Sequence, residues 1–303
     1  MYVILATAAD QEPTDQDDQP LLEALTAAGH EAALHPWDDA EVDWSAADAV
    51  VVRTAWDYHH RRVDFLAWAH EVESVTRLFN PAEVLRWNTH KSYLLELEER
   101  GAPLVPTAWI AQGDRVDLVR LAAERGWSEV VIKPAVGAGG AGVQRVRPTE
   151  EGGAVRPAQQ HLDALVAAGD VLVQPFLTTI ATAGELSVIV VDGEVSHAVR
   201  KRPAPGAFLV QIEHGGIYEP LDQVPRDAAE LARWIVSATG HDLLYARVDL
   251  VPDEVGAWQL TELEVTEPGL FMHLVDGSAA RLVAALEQRW SGDPGWRERT
   301  NVR

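Results

Sequence analysis

The first 87 residues alternate short apolar runs with helical patterns: "YVILATA", "PLLEALTAAG", "HEAALHPW", "DAVVVRTAW", "VDFLAWAHEVE" and "RLFNP". Runs of continuous apolar residues are strands buried on both faces, and a parallel sheet covered by helices supplies two such faces. Residues 1–87 are therefore expected to form one α/β domain. Ligands of such sheets bind beyond the carboxyl ends of the strands. "AVVVRTAWDYHHRR" leaves a strand at Arg53 and sets Arg53, Trp56, Asp57 and Tyr58 at such an end, where they are candidates to hold a ligand. The competing reading is a solvated loop with one buried tryptophan.

Beyond this stretch, "NTHKSYLLELEERGAPLVP" has an N-cap candidate at Asn88 or Thr89 and ends on Gly101 and Pro103. This pattern predicts a helix with Lys91 in its first turn. A lysine there opposes the helix dipole, which favours a task outside the helix. Strands are expected at "TAWIA", "EVVIKP", "VQRVRP" and "VLVQPF". Helices are expected at "DLVRLAAERG" and "AQQHLDALVAAG", the second after a polar, glycine-rich stretch from Glu150 to Pro157. The remainder from Phe176 reads as mainly β. No internal repeat, low-complexity tract or long linker is present.

Two hairpins carry most of the polar chemistry. In "ELSVIVVDGEVSHAVRK", Asp192-Gly193 is the type I′ turn signal. With Val191 paired to Glu194, regular alternation sets Glu185 opposite Arg200, with Ser187 and Ser196 on the same face and His197 among aliphatic side chains on the other. His197 is then a satisfied core histidine rather than a catalytic one. In "LLYARVDLV" and "AWQLTELEV", period two puts Arg247 and Asp249 on one face and Leu260, Glu262 and Glu264 on one face of the partner. Pairing Val251 with Trp258 brings both sets together. Carboxylates at that density repel unless a cation sits among them, and oxygen ligands without His or Cys suit magnesium.

Composition narrows the function classes. At 303 residues and 47% apolar, the chain can bury a substantial core. A net charge of -22 and a pI near 4.8 repel phosphate backbones and anionic lipid, so neither nucleic acid nor a membrane surface is an expected partner. The absence of cysteine excludes disulfides, a thiolate nucleophile and thiolate-held zinc. "MYVILATAADQEP" has neither a basic n-region nor an apolar run long enough for a signal peptide, so a cytoplasmic location is the expectation. Of 25 basic residues, only Lys91, Lys133 and Lys201 are lysine. In a chain that otherwise uses arginine, retained lysines mark positions that need a compact ammonium, as phosphate sites do.

"VIKPAVGAGGAGVQRVRP" decides what kind of nucleotide site is in view. Gly137, Gly139 and Gly142 match the spacing of a dinucleotide fingerprint, but that motif requires a helix directly after the glycines. Here an alternating strand follows, and the ending of a Walker loop is missing. A strand, a glycine loop including Gly140, and a second strand instead form a flap whose amides can close over phosphates. Lys91, Lys133, Arg200, Lys201, Arg247 and an oxygen-ligand metal site then describe a nucleoside triphosphate pocket.

With these residues the chain resembles the ATP-grasp ligases over nearly its full length, through "NTHK", "VIKP" and its flap, "VQPFL", "GELSV", "ARVDL" and "TELEVTEPG". The likeness implies an α/β (α+β) ATP-grasp fold. An N-terminal Rossmann-like pre-ATP-grasp domain would span 1–87, a glycine-loop lid subdomain 88–175, and a C-terminal antiparallel-sheet catalytic domain 176–303. It implies ATP with magnesium, two ions being expected. Asp249 and Glu262 would be magnesium ligands and Arg247 the electrostatic catalyst, as in the similar "ARVDL" of D-alanine-D-alanine ligases. Arg200 and Lys201 would assist, Lys91 and Lys133 would bind phosphate, Gln174, Pro175, Phe176 and Leu177 adenine, and Glu185 ribose. The family usually closes its metal site with E-x-N, whereas this chain has Glu262-Leu263-Glu264. Glu264 takes the Asn position, with Glu264 and Thr266 or Glu267 as the alternative register.

Within the family, "RTAWDYHHRR", "FNP", "WNTHKSYL", "SHAVRKRP", "LYARVDL" and "ELEVTEPGLF" are most similar to the cyclo-ligases that act on O-ureido-serine in cycloserine biosynthesis. Such enzymes phosphorylate a carboxylate and let a nitrogen attack the acyl phosphate. The implied partners are small carboxylate and amine substrates, amino-acid-like in character. Arg53, Trp56, Asp57 and Tyr58 would hold the acceptor, and His214, Gly215 and Gly216 of "IEHGGIYEP" would close the site. Related ligases are often dimers, which leaves a homodimer possible. The other readings are a ligase joining two amino acids, a nucleotide-binding protein without catalysis, and an NAD(P)-dependent oxidoreductase, the last requiring a helix after Gly142.

Overall fold

The computed structural model describes residues 1–9, 16–148 and 155–292. The end of "MYVILATAADQEP" and most of the polar stretch from Glu150 lie outside them. The N-terminal stretch folds as expected: β1 (Tyr2–Thr7), α1 (Asp18–Ala27), β2 (Glu31–Pro36), β3 (Ala49–Val52), α2 (Arg62–Val75) and β4 (Arg77–Phe79). Its sheet has the order β2-β1-β3-β4 and every pairing is parallel. Alternate residues of β1 and β3 face opposite layers. Val3, Leu5 and Val51 pack with Leu21 and Leu25 of α1, while Ile4, Val50 and Val52 pack with Phe65, Trp68 and Val72 of α2.

The helix expected from Asn88 is divided in two. α3 (Ala82–Asn88) ends where that helix was to begin, and α4 (Tyr93–Glu99) starts after Lys91, which occupies the intervening turn. Tertiary bonds cause the break. The Asn88 amide donates to Leu263 O at 2.8 Å and accepts from Val265 N at 3.0 Å. The Lys91 N–H donates to Ala135 O at 2.8 Å instead of continuing a helical ladder.

A second sheet holds β5 (Ala108–Ile110), β6 (Val130–Pro134), β7 (Gln144–Val146) and β8 (Val171–Pro175) in the antiparallel order β5-β8-β6-β7. It is covered by α5 (Leu118–Arg125), capped by the Asp117 side chain and by left-handed Gly126, and by α6 (Val155–Ala168). The element after Gly142 is strand β7, as the flap reading requires.

The third sheet follows α7 (Thr179–Thr182) and comprises β9 (Glu185–Val191), β10 (Glu194–Arg202), β11 (Ile217–Pro220), β12 (Tyr245–Pro252) and β13 (Trp258–Glu264). Its order is β11-β10-β9-β12-β13, antiparallel throughout. The reading of this region as mainly β is corrected by α8 (Arg226–Ala238) and α9 (Ser278–Gly292). Helices α4 and α8 cover the face bearing Leu186, Val188 and Val190, and α9 covers the face bearing Ile189 and Val191.

Two β-bulges change the expected registers. Asp192 and Gly193 have the positive φ of a type I′ turn, and Val191 pairs with Glu194 as expected. The ladder then shifts between Val195 and His197, so Lys201, not Arg200, lies opposite Glu185. Arg281 of α9 takes the carbonyl of the bulged Ser196 at 2.6 Å. In the second hairpin Pro252 pairs with Trp258, and a shift between Asp249 and Leu250 sets Asp249 opposite Glu262 and Arg247 opposite Glu264. Leu260 thereby leaves the acidic row for the core beside Leu250.

Candidate active site

The three sheets meet around a cavity of about 770 Å³ lined by all three lysines of the chain, by Arg247, and by Glu185, Asp249, Glu262, Glu264 and Glu267. Lys133 stands at the end of β6, where the flap begins, and Lys91 in the turn below it. Lys91 Nζ reaches Glu262 Oε1 at 2.6 Å and Gly137 O at 3.4 Å. Lys201 Nζ reaches Glu185 Oε1 at 2.5 Å and Asp249 Oδ1 at 3.4 Å. The Arg247 guanidinium chelates Asp249 at 3.0 to 3.1 Å and also pairs with Glu264.

These pairings order the charge states. Burial raises the Asp249 carboxyl, but Arg247 and Lys201, with the Ser187 hydroxyl 2.5 Å from Oδ1, outweigh it and hold the group below its ordinary range. Glu262 is likewise held down against burial by Lys91 and Lys133. Burial, reinforced by Glu262 and Asp249, wins at Glu264 and raises it to about 7 despite Arg247. Glu267 is raised to about 8 by burial and by Glu264. Lys133 makes no ion pair among the described residues, and burial together with Lys91 lowers its pKa against the pull of Glu262.

The expected converging carboxylates are therefore interleaved with cations, and no group of three acidic or His side chains forms a ready metal cage among the described residues. Asp249 and Glu262, opposite each other and ionised, still supply the hard oxygen donors that magnesium takes. Magnesium is normally held by one or two carboxylates together with substrate phosphates, so a complete protein cage is not required.

The flap, residues 135–143, takes left-handed backbone at Gly139, Gly140 and Gly142. A Cβ on Gly140 would stand 3.6 Å from Leu209 Cδ1 and 3.7 Å from His214 Nε2, so the flap tip lies beside the β10–β11 loop with room for little more than a methyl group between them. Phe208 to Ile212 of that loop line the cavity, whereas His214, Gly215 and Gly216 support it from outside. At the other end, Gln174, Pro175, Phe176 and Leu177 form a wall. The Gln174 amide is fixed by Thr107 Oγ1 at 2.8 Å, and the Phe176 ring is covered by Arg145, whose Cζ lies 3.5 Å from the ring centroid.

Other expected residues point elsewhere. Arg200 lies opposite Leu186 and Glu219 on the sheet face turned from Lys201, outside the cavity lining. Arg53 is fully buried and donates to Pro268 O at 3.0 Å, bracing the chain beneath the site. Asp57 accepts from Trp37 Nε1 at 2.8 Å and from Arg61 at 2.7 Å, away from the cavity. Trp56 and Tyr58 do line it, Trp56 Nε1 donating to Glu267 O at 3.1 Å. Glu185 is engaged by Lys201 and by Thr261 Oγ1 at 3.3 Å. His197 is a core residue bonded to Leu270 O at 2.8 Å.

Sequence reasoning missed Asp17, Phe271 and His273, which share the wall toward the N-terminal domain. Asp17 is one of several acids in "TDQDDQP", and nothing in that run separates it from its neighbours.

The chain is similar to known proteins over nearly its full length. Residues 3–80 match the family model "D-cycloserine synthetase DcsG, N-terminal domain", and residues 100–277 match "Prokaryotic glutathione synthetase, ATP-grasp domain". The chain is 36% identical over 301 residues to the cycloserine biosynthesis protein DcsG of Streptomyces lavendulae, covering 94% of this chain and 97% of that one. The crystal structure of D-cycloserine synthetase DcsG superposes with a TM-score of 0.85 at 32% identity, over 96% of this chain and all of the other. A D-alanine–D-alanine ligase from Bacillus anthracis shares the fold, with a TM-score of 0.66 at 12% identity over 96% of this chain and 97% of that chain.

Proposed function

Because the chain belongs to the ATP-grasp ligases, ADP-forming enzymes that join a carboxylate to an amine with ATP and magnesium, we propose that it activates an amino-acid-like carboxylate as an acyl phosphate and closes or couples it with a nitrogen nucleophile. An O-ureido-serine cyclo-ligase activity is the specific form we favour, on the strength of the near full-length likeness to DcsG. The observation that carries the reading is the convergence of Lys91, Lys133 and Lys201 on one cavity with Arg247, Asp249 and Glu262.

In this reading the wall of Gln174, Pro175, Phe176 and Leu177 receives adenine, and Glu185 the ribose. Lys133 and Lys91 meet phosphate oxygens with the flap amides, and Lys133, which has no ion-pair partner among the described residues, is the part of the site best prepared for an anion. Asp249 and Glu262 hold magnesium, two ions being accommodated if Glu264 releases Arg247. Bound there, the metal neutralises phosphate charge. Arg247 stabilises the oxygens that gain charge as the phosphoryl group moves, and Lys201 fixes Glu185 and Asp249 in place. Trp56 and Tyr58 contact the acceptor. Phosphoryl transfer needs positioning and charge neutralisation rather than a protein nucleophile, which suits a chain without cysteine.

The test is ADP release on a panel of amino acids and their ureido derivatives, with hydroxylamine present to capture the acyl phosphate as a hydroxamate. Magnesium-dependent hydroxamate is expected with O-ureido-serine. Steady turnover without trappable hydroxamate on any carboxylate would remove the acyl phosphate from the scheme. The mass of the product separates ring closure from the joining of two amino acids.

A further inference from the structure

Six acids line the cavity, and five of them are matched: Glu185 and Asp249 by Lys201, Glu262 by Lys91, Glu264 by Arg247 and Asp17 by His273. Glu267 is the exception. It is 8% exposed and forms no ion pair among the described residues, and Lys91, the cation whose charge it feels, already holds Glu262 at 2.6 Å. Its carbonyl is taken by Trp56 Nε1 at 3.1 Å and its backbone N–H by its own carboxylate, so the carboxyl group is the part of the residue left to face the cavity. Burial, with the Glu264 charge, raises that carboxyl to about 8, the mark of an acid enclosed without a cation. Arg247 ties down the segment that carries it, pairing with Glu264 on one side and donating to Gly269 O at 3.3 Å on the other. Across from the arginine stands Tyr58, whose hydroxyl is raised by burial and then by Glu267 ahead of Glu262 and Glu264. Glu267 thus lies between Arg247 and the wall of Trp56 and Tyr58.

We propose that Glu267 receives the α-ammonium of the amino-acid substrate, and so selects free α-amino acids over carboxylates that lack this charge. The inference rests on the ligase reading given above. In that reading the carboxylate to be phosphorylated lies at Arg247. The ammonium of an α-amino acid stands two bonds from the carboxylate carbon, about 2.5 Å away, so it too has to be met beside Arg247. Every other acid on the wall is engaged by a cation or a histidine of the chain, which leaves Glu267 for the cation that the substrate brings. An ammonium carries three donors and no acceptor, and a carboxylate only acceptors, so the two are complementary, and the incoming charge draws the carboxyl into its ionised form. Glu267 makes or breaks no covalent bond. It fixes which carboxylate can lie at Arg247, and the Trp56 bond to its carbonyl holds it in place for that.

The experiment compares O-ureido-serine with 3-(ureidooxy)propionate, the same compound without its amino group, in the parent and in Glu267→Gln. The readout is kcat/KM for hydroxamate formation with ATP, hydroxylamine and a series of magnesium concentrations. The parent should prefer O-ureido-serine by about 10–10²-fold, the worth of one hydrogen bond to a charged group, and Glu267→Gln should bring the two compounds within about threefold of each other. The magnesium requirement should be the same in both proteins. Glu267→Asp keeps the charge and draws it back by one methylene, so its preference should lie between the two; it decides the matter if the glutamine variant does not fold. A parent without preference, a variant that keeps the parent's preference, or an equal loss on both compounds with a raised magnesium requirement overturns the assignment, the last placing Glu267 in the metal site. A parent that forms no hydroxamate from either compound removes the ligase reading, and the ammonium site with it.

Discussion

Lys133 separates the two meanings of "VIKPAVGAGGAGV". Its ammonium is half-buried without an ion-pair partner among the described residues, so in the proposed function truncation removes a phosphate contact without exposing another charge. Lys133→Met is expected to lower kcat/KM for ATP about 10²–10³-fold, the range for losing one electrostatic contact at a reacting group, with ADP release as the measurement. A variant within twofold of the parent would take Lys133 out of the phosphate site. Lys201 and Arg200 make a sharper pair, being adjacent in sequence and opposite in space. Lys201→Met leaves the Glu185 carboxylate without its cation and Asp249 with Arg247 alone, since Lys201 holds them at 2.5 and 3.4 Å. It should abolish turnover and cost about 3–5 kcal/mol of stability, as breaking a buried pair does. Arg200→Met should keep at least half the activity. The reverse order of effects would show that the Ser196 bulge is not as described.

At the scale of elements, the β10–β11 loop and the flap line one side of the cavity, and in the proposed function they act as one cover. Gly216 allows the loop to close, since a Cβ there would meet Val210 O at 1.9 Å, well inside contact distance. Gly216→Ala should displace Phe208 to Ile212 and lower kcat/KM by about tenfold, equivalent to about 1.4 kcal/mol, with little change in the urea midpoint because the loop is peripheral to the cores. Steady-state kinetics beside urea unfolding tests both halves. In β10, burial lowers the pKa of His197, and its bond to Leu270 O does not compensate. A histidine depressed on folding contributes stability that is complete above its ordinary value of 6.5 and is lost as pH falls through the folded value. The stability that His197 contributes should therefore be lost on acidification below about pH 6.5, while Glu264 and Glu267, raised to about 7 and 8, contribute the opposite slope. The measurement is the difference in melting temperature between parent and His197→Gln, which should shift in favour of the variant as pH falls from 6.5.

For the whole molecule, one buried amide joins the N-terminal domain to the catalytic sheet. Asn80 donates to Tyr245 O at 3.0 Å and Val265 O at 2.8 Å and accepts from Leu244 N at 2.7 Å. The Tyr245 hydroxyl adds bonds to Val52 O at 2.9 Å and Thr266 O at 3.1 Å. This junction sets the Trp56 and Tyr58 wall against Arg247, which in the proposed function sets the distance between acceptor and phosphate. Asn80→Leu leaves three buried backbone groups without their partner and should cost about 3 kcal/mol or more in urea unfolding. Activity should fall further than the folded fraction explains. Turnover that tracks only the folded fraction would show that the junction does not position the site.

Local periodicity and composition were enough to establish the parallel N-terminal sheet, the glycine flap between two strands, the type I′ turn and the three lysines that share one cavity. These depend on backbone chemistry and on residues adjacent in the chain. Register was not legible, because a β-bulge is one extra residue stabilised by partners far away: Arg281 at Ser196, and Glu185 with the Asp249 carbonyl at Thr261. A shift of one residue moves every following side chain to the other face. That shift exchanged Arg200 for Lys201 and returned Leu260 to the core. The division of the helix at Lys91 likewise depends on bonds to Ala135, Leu263 and Val265. Asp17 and His273 are 256 residues apart and carry no local signal. Only the packing of α1 against the 270–273 turn makes them a pair.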